Sequence, residues 1–562
     1  MSKDLPWILG LSASHNGAAC LLRGDEVFVA VQEERLTRVK RQWIYGAAHS
    51  LAANYCLSFA GIQPRDLSAI ALSVTGSARD PQHNLQLNPL VRSSKKDTRT
   101  IVVPHHYAHA VSGFATSGFA ESAILVIDGV GSPAEDMFEE ERKVFTKPVE
   151  HGSEMISLYS ASGTSLIPLE KHPVEYGAWL AKRSTGMPWF GSLGGMYSAV
   201  SEQIFGNAME AGKVMGLAPL GFPEIPVDAF FEIKKGNLHF RNCLPERFAH
   251  NDRWPLRGEE YRNLAASVQV ALEEALLFLI ERLRKLQSSQ NLCYAGGVAL
   301  NSVANERIIR HSGFQQVHIT PAAEDSGAAI GAAYYALWHV TGHNSRRKMA
   351  HDACGRPYST RAISGAVKNA GRIRSVPSKD PISDTVDLLC EGKIVGWFDG
   401  RSEIGPRALG QRSILCDPRR VSHRDVLNRK VKKRESFRPF APSILREEVT
   451  NWFELDGTKP DSPFMLRVCK FRSEKEELVP AVVHVDGTGR LQTLTKEVNG
   501  NFYELVKRFY QKTAIPLLLN TSFNIAGYPI VETPADAIAC LLGTEVDCCI
   551  FEDQIVFKYV NW

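Results

Sequence analysis

The sequence predicts an α/β protein with two domains, and three observations support this. Short apolar runs at residues 7–11, 123–127 and 291–295 each lead into a turn that contains glycine, as buried strands of α/β proteins do. Helical patterns follow or precede these runs, and residues 264–286 give the clearest one. A polar, irregular stretch then separates this part of the chain from a second α/β pattern.

The strands and the boundary can be placed along the chain. The apolar runs 7–11, 18–22 and 27–31 predict three strands, with a tight turn before the third. Residues 341–360 are polar and irregular, with the runs 343–348 and 355–357, which is typical of a linker. We therefore predict a first domain over 1–355 and a second over 370–562.

Composition limits the classes of function. The chain has 562 residues, 44% of them hydrophobic, and a formal net charge of only +4. It therefore offers no general attraction to nucleic acid or to a membrane surface. We read no signal peptide and no apolar run of membrane-spanning length. The eleven cysteines form no Cys-x-x-Cys pair, which predicts reduced thiols and a cytoplasmic protein.

Two histidines and two aspartates predict a metal site. If a helix starts at residue 105, His105 and His109 lie one turn apart on the same face. Asp128 ends an apolar strand, and Asp325 precedes a helix of small residues. Imidazole and carboxylate ligands suit iron, manganese or zinc. The competing interpretation makes the histidines packing residues and the aspartates a turn former and a helix cap.

Three glycine-rich turns predict phosphate binding in the first domain. They begin at Gly10, Asp128 and Gly296, and small residues there expose backbone N–H groups to phosphate oxygens. In the last turn Gly296, Gly297 and Asn301 are the candidate contacts. Such a set of turns resembles the nucleotide-binding fold of actin, sugar kinases and heat-shock chaperone ATPases. Lys213, between glycines, is a further candidate cation, although a glycine-capped helix end would look the same.

The second domain carries a set of cations beside Gly, Pro and aromatic residues. Guanidinium groups match phosphate oxygens, and a lysine adds a compact charge. Asn520 and Ser522 lie at the end of a further apolar strand of this domain. A site that gathers several cations fits a doubly anionic substrate beside ATP. The cations of this predicted site are Arg407, Arg412, Lys432, Arg438 and Arg490.

Together these motifs resemble one family, the O-carbamoyltransferases that modify nodulation factors, cephems, ansamycins and tobramycin. The matching segments span nearly the whole chain in the family's order. They are residues 14–18, 33–38, 105–110, 212–219, 296–301, 405–410, 438–442 and 520–524.

The resemblance implies a fold and a reaction. The first domain would resemble actin, sugar kinases and the TsaD tRNA-threonylcarbamoyl transferases, and the second would resemble YrdC. The second domain would join carbamoyl phosphate and ATP, with Mg²⁺, into carbamoyladenylate. The first domain would then transfer the carbamoyl group to a hydroxyl of a small molecule, such as a natural product or a sugar, with iron or another divalent transition metal.

The resemblance also assigns roles to residues. His105, His109, Asp128 and Asp325 would hold the metal, Gly296 and Gly297 the adenylate, and the second-domain cations with Asn520 would make the intermediate. His15 is the candidate base, since a histidine titrates near neutral pH. Many relatives carry Asp after this histidine, whereas Asn16 stands here, which leaves the geometry around the acceptor open.

Other interpretations remain at this point. A kinase or ATPase of the actin-like fold would explain the first half but would leave the second-half cations without a role. A nucleotide sensor without activity, descended from a carbamoyltransferase, is a further alternative. A hydrogenase-maturation carbamoyl enzyme would carry Cys-x-x-Cys elements, and a tRNA-modifying enzyme would carry a basic stripe. The acceptor cannot be read, although Tyr176, Trp179, Trp189 and Phe190 could stack on it or belong to the core. The oligomeric state is open, and a homodimer is compatible with the sequence.

Overall fold

The computed structural model describes residues 5–44, 50–80, 83, 89–96, 98–148, 152–176, 190–241, 244–248 and 250–559. The strands are β1 (Trp7–Ala13), β2 (Ala18–Arg23), β3 (Glu26–Gln32), β4 (Ala69–Val74), β5 (Arg99–Val103), β6 (Glu121–Ile127), β7 (Glu154–Ser162), β8 (Ser165–Pro173), β9 (Glu175–Tyr176), β10 (Phe190–Gly191), β11 (Phe231–Lys234), β12 (Asn237–Phe240), β13 (Asn291–Ala295), β14 (Gln316–Ile319), β15 (Ile373–Pro377), β16 (Val395–Phe398), β17 (Arg412–Cys416), β18 (Ala441–Leu445), β19 (Phe453–Glu454), β20 (Arg467–Phe471), β21 (Thr488–Leu494), β22 (Leu517–Ser522), β23 (Cys548–Ile550) and β24 (Gln554–Lys558).

The α-helices are α1 (Glu33–Thr37), α2 (Leu51–Ala60), α3 (Pro89–Arg92), α4 (His105–Ser117), α5 (Glu139–Arg142), α6 (Leu193–Phe205), α7 (Ala211–Leu217), α8 (Gly258–Leu286), α9 (Ser302–His311), α10 (Ser326–His339), α11 (Thr360–Asn369), α12 (Pro381–Cys390), α13 (Val421–Val426), α14 (Val449–Trp452), α15 (Ser473–Glu476), α16 (Lys496–Thr513) and α17 (Pro534–Gly543). A π-helical turn, Leu427–Val431, follows α13. The predicted α/β class is confirmed.

The chain divides into two compact units. Unit 1 contains Met1–Phe28 and Trp43–Met349, and unit 2 contains Val29–Gln42 and Ala350–Trp562. The short segment Val29–Gln42, which the sequence analysis counted within 1–355, therefore belongs to the same unit as the C-terminal part. The boundary between Phe28 and Val29 falls inside β3, so one strand contributes residues to both units.

Unit 1 repeats one sheet arrangement. Its first sheet has the order β3-β2-β1-β4-β5, and its second has the order β8-β7-β6-β13-β14. In each sheet the central strand is antiparallel to its neighbour in the hairpin and parallel to the strand on its other side. Two sheets with the same order agree with the predicted actin- and sugar-kinase-like class for the first domain.

Two close helix contacts position the residues that follow these strands. A Cβ placed on Gly10 of β1 would lie 2.1 Å from the carbonyl oxygen of Ala329 in α10. A Cβ placed on Gly331 of α10 would lie 1.8 Å from the carbonyl oxygen of Ala108 in α4. Because no side chain fits at either position, α10 packs directly on both elements. This fixes α4, which carries His105 and His109, beside the start of α10.

Unit 2 is built on one large mixed sheet. Its ten strands have the order β15-β24-β23-β16-β17-β22-β18-β21-β20-β19. The central strands β17, β18 and β22 are almost entirely buried, and α12 and α16 contribute Leu389, Leu505 and Phe509 to the same core. Strands β21 and β22 also pack into this core, and this packing holds the backbone at Arg490 and Asn520 in place.

Helix α8 is long and apolar enough to cross a membrane, judged by length and composition alone. The sequence had predicted no segment of this kind. The helix has 29 residues, and 72% of its most apolar window is buried inside the protein. Its buried face includes Leu272, Leu276 and Leu279. A core helix accounts for this pattern, because the apolar side chains already face protein.

We predict that Gly331→Ala lowers the stability of unit 1, because the new methyl group must displace the backbone of α4. The expected loss is about 1–3 kcal/mol, as for other overpacked cores. Gly212→Ala in α7 is the matched control, since a Cβ there meets nothing within 4 Å. Thermal unfolding of both variants measures the difference, and equal melting temperatures would contradict the packing described for α4 and α10.

Candidate active site

Four side chains of unit 1 converge on one point. The ligand atoms of His105, His109, Asp128 and Asp325 all lie within 4.8 Å of one another. Both histidine Nε2 atoms are 3.6 Å from Oδ2 of Asp128, and they are 3.4 and 3.7 Å from Oδ1 of Asp325. This is the arrangement of a metal centre with two imidazole and two carboxylate ligands.

The local fold explains why these residues meet. His105 begins α4, and its backbone N–H donates to Oγ of Ser132, just past the loop that starts at Asp128. Asp325 immediately precedes α10, but its side chain does not cap that helix. Instead its Oδ2 accepts a hydrogen bond from Oγ1 of Thr75 at 3.1 Å. The carboxylates are therefore directed at the histidines rather than used as caps.

The electrostatics of this cluster call for positive charge. Burial alone would lower the pKa of His105, yet the carboxylates of Asp325 and Asp128 raise it to about 10. Burial raises the pKa of Asp325, but His15 and His105 outweigh that effect and hold it well below its usual range. Oδ2 of Asp128 is buried and accepts no hydrogen bond from the described residues. The residues present therefore fit a divalent transition metal.

His15 lies beside this cluster. Its Nδ1 is 3.2 Å from Oδ2 of Asp325, and its side chain keeps 29% of its exposure. The Asn16 amide nitrogen is 3.4 Å from Nε2 of the same ring. If Nδ1 carries the proton toward Asp325, Nε2 is the basic nitrogen, which is the tautomer a general base needs. Asn16 thus stands next to the basic nitrogen.

The glycine-rich turn after β13 lies against the same cluster. A Cβ on Gly297 would be 3.0 Å from Oδ1 of Asp128, and Gly296 has a φ of +94°. Side chains at these positions would fill the space beside the aspartate or strain the backbone. Asn301 instead accepts from the backbone N–H of Ala304 at 3.0 Å and so caps α9.

Lys213 contacts Glu210 and Phe205, neither of which belongs to the cluster of His105, His109, Asp128 and Asp325. Its Nζ is 3.7 Å from Oε1 of Glu210 and 5.3 Å from the ring centre of Phe205. Its role as a nucleotide contact therefore stays a prediction.

Unit 2 gathers partly buried cations that act on one another. Burial and the neighbouring Arg438 lower the pKa of Arg407 to about 10. Burial, Arg407, Arg434 and Arg438 together lower the pKa of Arg490 well below its usual range. Nε of Arg407 and Nε of Arg490 are buried and have no hydrogen-bond partner among the described residues. The chemistry of such a cluster suits an anion, because an anion would remove the repulsion and supply the missing acceptors.

Lys432 lies at the edge of the same cluster. Burial and the charges of Arg434, Lys40 and Arg438 lower its pKa well below the usual range. Its Nζ donates to the carbonyl oxygen of Ser522 and, at 2.7 Å, to Oδ1 of Asn524. The predicted residues Lys432 and Ser522 therefore meet, with Oγ of Ser522 at 3.3 Å.

Two predicted residues brace the turn at residues 405–412. Asn520 donates through Nδ2 to the carbonyl oxygen of Ala408 at 3.2 Å, while its buried Oδ1 has no partner among the described residues. Arg412 donates to the carbonyl oxygens of Asp399 at 2.6 Å and Gly400 at 3.1 Å, and it stacks on Phe398. The guanidinium of Arg412 thus faces backbone, unlike that of Arg407.

Some participants were not among the predicted site residues. Arg434, whose pKa burial and Arg438 lower to about 9, belongs to the cation cluster. Thr75 contacts Asp325, and Asn524 contacts Lys432. The run of three cations at 432–434 was a signal for Arg434, whereas nothing in the sequence singled out Thr75.

The aromatic candidates for the acceptor cannot be placed. Trp179 and Trp189 lie outside the described residues. The backbones of Tyr176 and Phe190 pair in a two-stranded sheet, but their side chains are outside the description. Their suggested contact with an acceptor stays a prediction.

Sequence comparison identifies the family that the two clusters belong to. The family model "Carbamoyltransferase N-terminus" matches residues 7–82 and 81–334, and "Carbamoyltransferase C-terminus" matches residues 386–558. These matches cover most of the chain. The chain belongs to the carbamoyltransferase family, and the protein is an enzyme of that class.

Known relatives agree with this assignment. The chain is 32% identical over 576 residues to nodulation protein NolNO of Sinorhizobium fredii, covering 97% of this chain and 79% of the relative. It is 34% identical to the uncharacterised protein sll1178 of Synechocystis, covering 98% of this chain and 96% of the relative.

Among solved structures the similarities are weaker. Full-length HypF, in a phosphate- and nucleotide-bound form, gives a TM-score of 0.35 at 14% identity, covering 61% of this chain and 48% of that one. A ROK family glucokinase from Streptomyces griseus gives a TM-score of 0.29 at 14% identity, covering 58% and 98%. The family assignment therefore rests on the sequence matches.

We predict that the purified protein binds one divalent transition metal per chain and that His109→Ala or Asp128→Asn weakens this binding at least ~10–100-fold, since loss of even an outer-shell partner costs that much. Competition titration with a chromophoric chelator measures the affinity. His318→Gln is the control, because this histidine contacts Thr116 and lies outside the cluster. Equal affinities in all variants would contradict the metal centre.

Proposed function

We propose that this enzyme is an ATP-dependent O-carbamoyltransferase that activates carbamoyl phosphate in unit 2 and transfers the carbamoyl group to a small-molecule hydroxyl in unit 1. One observation carries the proposal. A single chain of the carbamoyltransferase family holds a partly buried cation cluster in one unit and a cluster of two imidazoles and two carboxylates in the other. Donor activation and group transfer need these two different environments.

The first half-reaction suits the cation cluster. Water hydrolyses carbamoyl phosphate to carbamate and inorganic phosphate, and an oxygen of the carbamate then attacks the α-phosphorus of ATP. Pyrophosphate leaves, and carbamoyladenylate forms. Arg407, Arg438 and Arg490 would bind the phosphate oxygens, and Lys432 would neutralise the charge that develops as the phosphates depart. ATP would enter with Mg²⁺. The unpartnered Nε atoms of Arg407 and Arg490 support this role, because a bound anion would supply their acceptors.

The second half-reaction suits the cluster of unit 1. His15, with Nδ1–H directed at Asp325, would accept the proton of the acceptor hydroxyl through Nε2. The hydroxyl oxygen would then attack the carbamoyl carbon, and AMP would leave. Gly296 and Gly297 would give the adenylate close access to the backbone. A metal held by His105, His109, Asp128 and Asp325 would act as a Lewis acid toward the carbamoyl carbonyl.

The finer assignments follow from chemistry. Iron(II) is our first choice of metal, and manganese or zinc would also suit this ligand set. The acceptor we propose is a hydroxyl of a sugar or other natural product, as in antibiotic biosynthesis or nodulation-factor tailoring. Ten described cysteines are free, and nine of them are buried, which supports a reducing, cytoplasmic location.

Without an acceptor, we predict that the protein releases pyrophosphate from ATP only when carbamoyl phosphate is added. Lys432→Met and Arg438→Met should lower this release at least ~100-fold, since each removes a charge from the site where the phosphates react. A coupled pyrophosphate assay measures the rate.

His109→Ala separates the two units in the same assay. It should leave donor-dependent pyrophosphate release intact and abolish carbamoyl transfer to an acceptor, read as a mass gain of one carbamoyl group. A kinase, an ATPase or a nucleotide sensor would show no dependence on carbamoyl phosphate. Unimpaired transfer by His109→Ala would exclude the metal cluster from the reaction.

We also predict that donor binding takes up protons at pH values below the ordinary pKa of a lysine. Burial and the neighbouring cations lower the pKa of Lys432 and so favour its neutral form, whereas a bound anion raises that pKa again. Calorimetry with a non-reacting phosphonate analogue, in two buffers of different ionisation enthalpy, measures the uptake. It should fall in Lys432→Met, whereas identical proton uptake in the two proteins would show that Lys432 does not titrate with binding.

A further inference from the structure

We propose that Arg35 and Arg38, from the segment Val29–Gln42, are positioning residues of the donor site in unit 2. The inference rests on the proposed function of that site. This segment matched the family's sequence pattern, but no role followed from its residues. The structure assigns it to unit 2, where each arginine holds a loop that carries donor-site residues.

Arg35 holds the turn that carries Arg407. Its side chain is 1% exposed, and its Nη2 donates to the carbonyl oxygen of Gly405 at 2.7 Å. Gly405 has a φ of +102°, a backbone conformation that residues with a side chain rarely adopt. A buried arginine on this carbonyl therefore fixes where the turn begins.

The same turn is held at its other end by a carboxylate. Oε1 of Glu403 accepts the backbone N–H groups of Leu409 at 2.9 Å, Gln411 at 2.8 Å and Arg412 at 3.1 Å. Arg35 and Glu403 thus fix opposite sides of the turn, and Arg407 lies between these anchors. Among the described residues no carboxylate pairs with the guanidinium of Arg407, so the backbone of the turn sets its position.

Arg38 holds the loop that follows Ser522 and Asn524. Its Nη1 donates to the carbonyl oxygen of Ile530 at 2.8 Å, and its Nη2 donates to that of Pro529 at 3.0 Å. Nδ2 of Asn524 donates into the same loop, to the carbonyl oxygen of Tyr528 at 2.8 Å. Since Oδ1 of Asn524 binds Lys432, the loop held by Arg38 also sets the position of the lysine.

The segment also carries a charge that acts on a donor-site residue. Lys40, two residues after Arg38, is close enough to lower the pKa of Lys432, together with burial, Arg434 and Arg438. The segment therefore adds positive charge where the anionic donor would bind.

The guanidinium group suits this task for a geometric reason. It presents several N–H donors in one rigid plane, so Arg38 can bind two successive carbonyl oxygens at once. A lysine would keep the charge but lose this pairing. Misplacement of a catalytic group by about 1 Å can cost about 100-fold in rate, so loss of either anchor should reach the chemistry.

The test uses Arg38→Ala and Arg35→Met in the full-length protein, with Arg472→Ala as the matched control. Arg472 also donates to a backbone carbonyl of unit 2, that of Thr450, at 3.0 Å. Neither Arg472 nor Thr450 belongs to a loop of the donor site. Carbamoyl phosphate-dependent pyrophosphate release gives KM and kcat. We expect kcat/KM to fall at least ~10-fold in both variants and to stay unchanged in the control.

Chemical rescue separates positioning from general stability. Millimolar guanidinium ion should restore part of the activity of Arg38→Ala, because 26% of the Arg38 side chain is exposed and a small cation can reach the two carbonyls. It should not change the control. If Arg35→Met fails to fold, Arg38→Ala decides alone.

The proposed function and the positioning role fail in different ways. A wild-type protein without donor-dependent pyrophosphate release would overturn the proposed function. A wild-type protein that is active, with a folded Arg38→Ala variant of equal kcat/KM or with reduced activity that guanidinium does not restore, would overturn the positioning role.

Discussion

The crowding of partly buried like charges in unit 2 is the constraint on which the rest of the structure depends. Burial and neighbouring cations lower the pKa values of Arg407, Arg434 and Arg490, and Arg438 is one of those neighbours in each case. Such a cluster opposes folding, because like charges that lose water also repel one another. The surrounding backbone must therefore be held by other means. Strand β21, which carries Arg490, and the carboxylate of Glu403, which binds three backbone N–H groups, supply that support.

Unit 1 solves the opposite problem. There two carboxylates and two imidazoles face one another, and the pKa of His105 rises to about 10 in response. The Gly331 contact holds α4 against α10 and so positions His105 and His109, while Thr75 donates a hydrogen bond to Asp325 and the backbone N–H of Gly129 donates one to Asp128. One chain thus contains a site that attracts anions and a site that attracts a cation. Activation of a phosphate donor and transfer of its acyl group draw on these two properties.

The sequence predicted the main strands, the four side chains that converge in unit 1 and most of the cation cluster, because these depend on local patterns. His105 and His109 are one helical turn apart, and Asp128 follows a clear apolar strand. Contacts between distant residues were out of reach. The duplicated sheet order of unit 1 leaves no repeat in the sequence, since burial constrains only residue type at each strand position. Similarly, the contact of Arg35 with Gly405 joins residues 370 positions apart.

Some roles changed once contacts were known. Arg412 looked equivalent to Arg407 in the sequence, yet its guanidinium binds the carbonyl oxygens of Asp399 and Gly400. Asn301 caps α9 through its side chain. In both cases the local motif was read correctly as a fixed turn, but the direction of the side chain depends on the neighbouring strand or helix.

The central claim is that unit 2 makes an acyl-nucleotide which unit 1 consumes. Rapid-quench mass spectrometry of the His109→Ala protein, mixed with ATP and carbamoyl phosphate without an acceptor, tests it most directly. The account predicts that protein-bound carbamoyladenylate accumulates to nearly one equivalent per chain and is missing from Lys432→Met. If no carbamoyladenylate forms while an acceptor is still carbamoylated by the wild-type protein, the group passes by another route and the division of labour between the units is wrong.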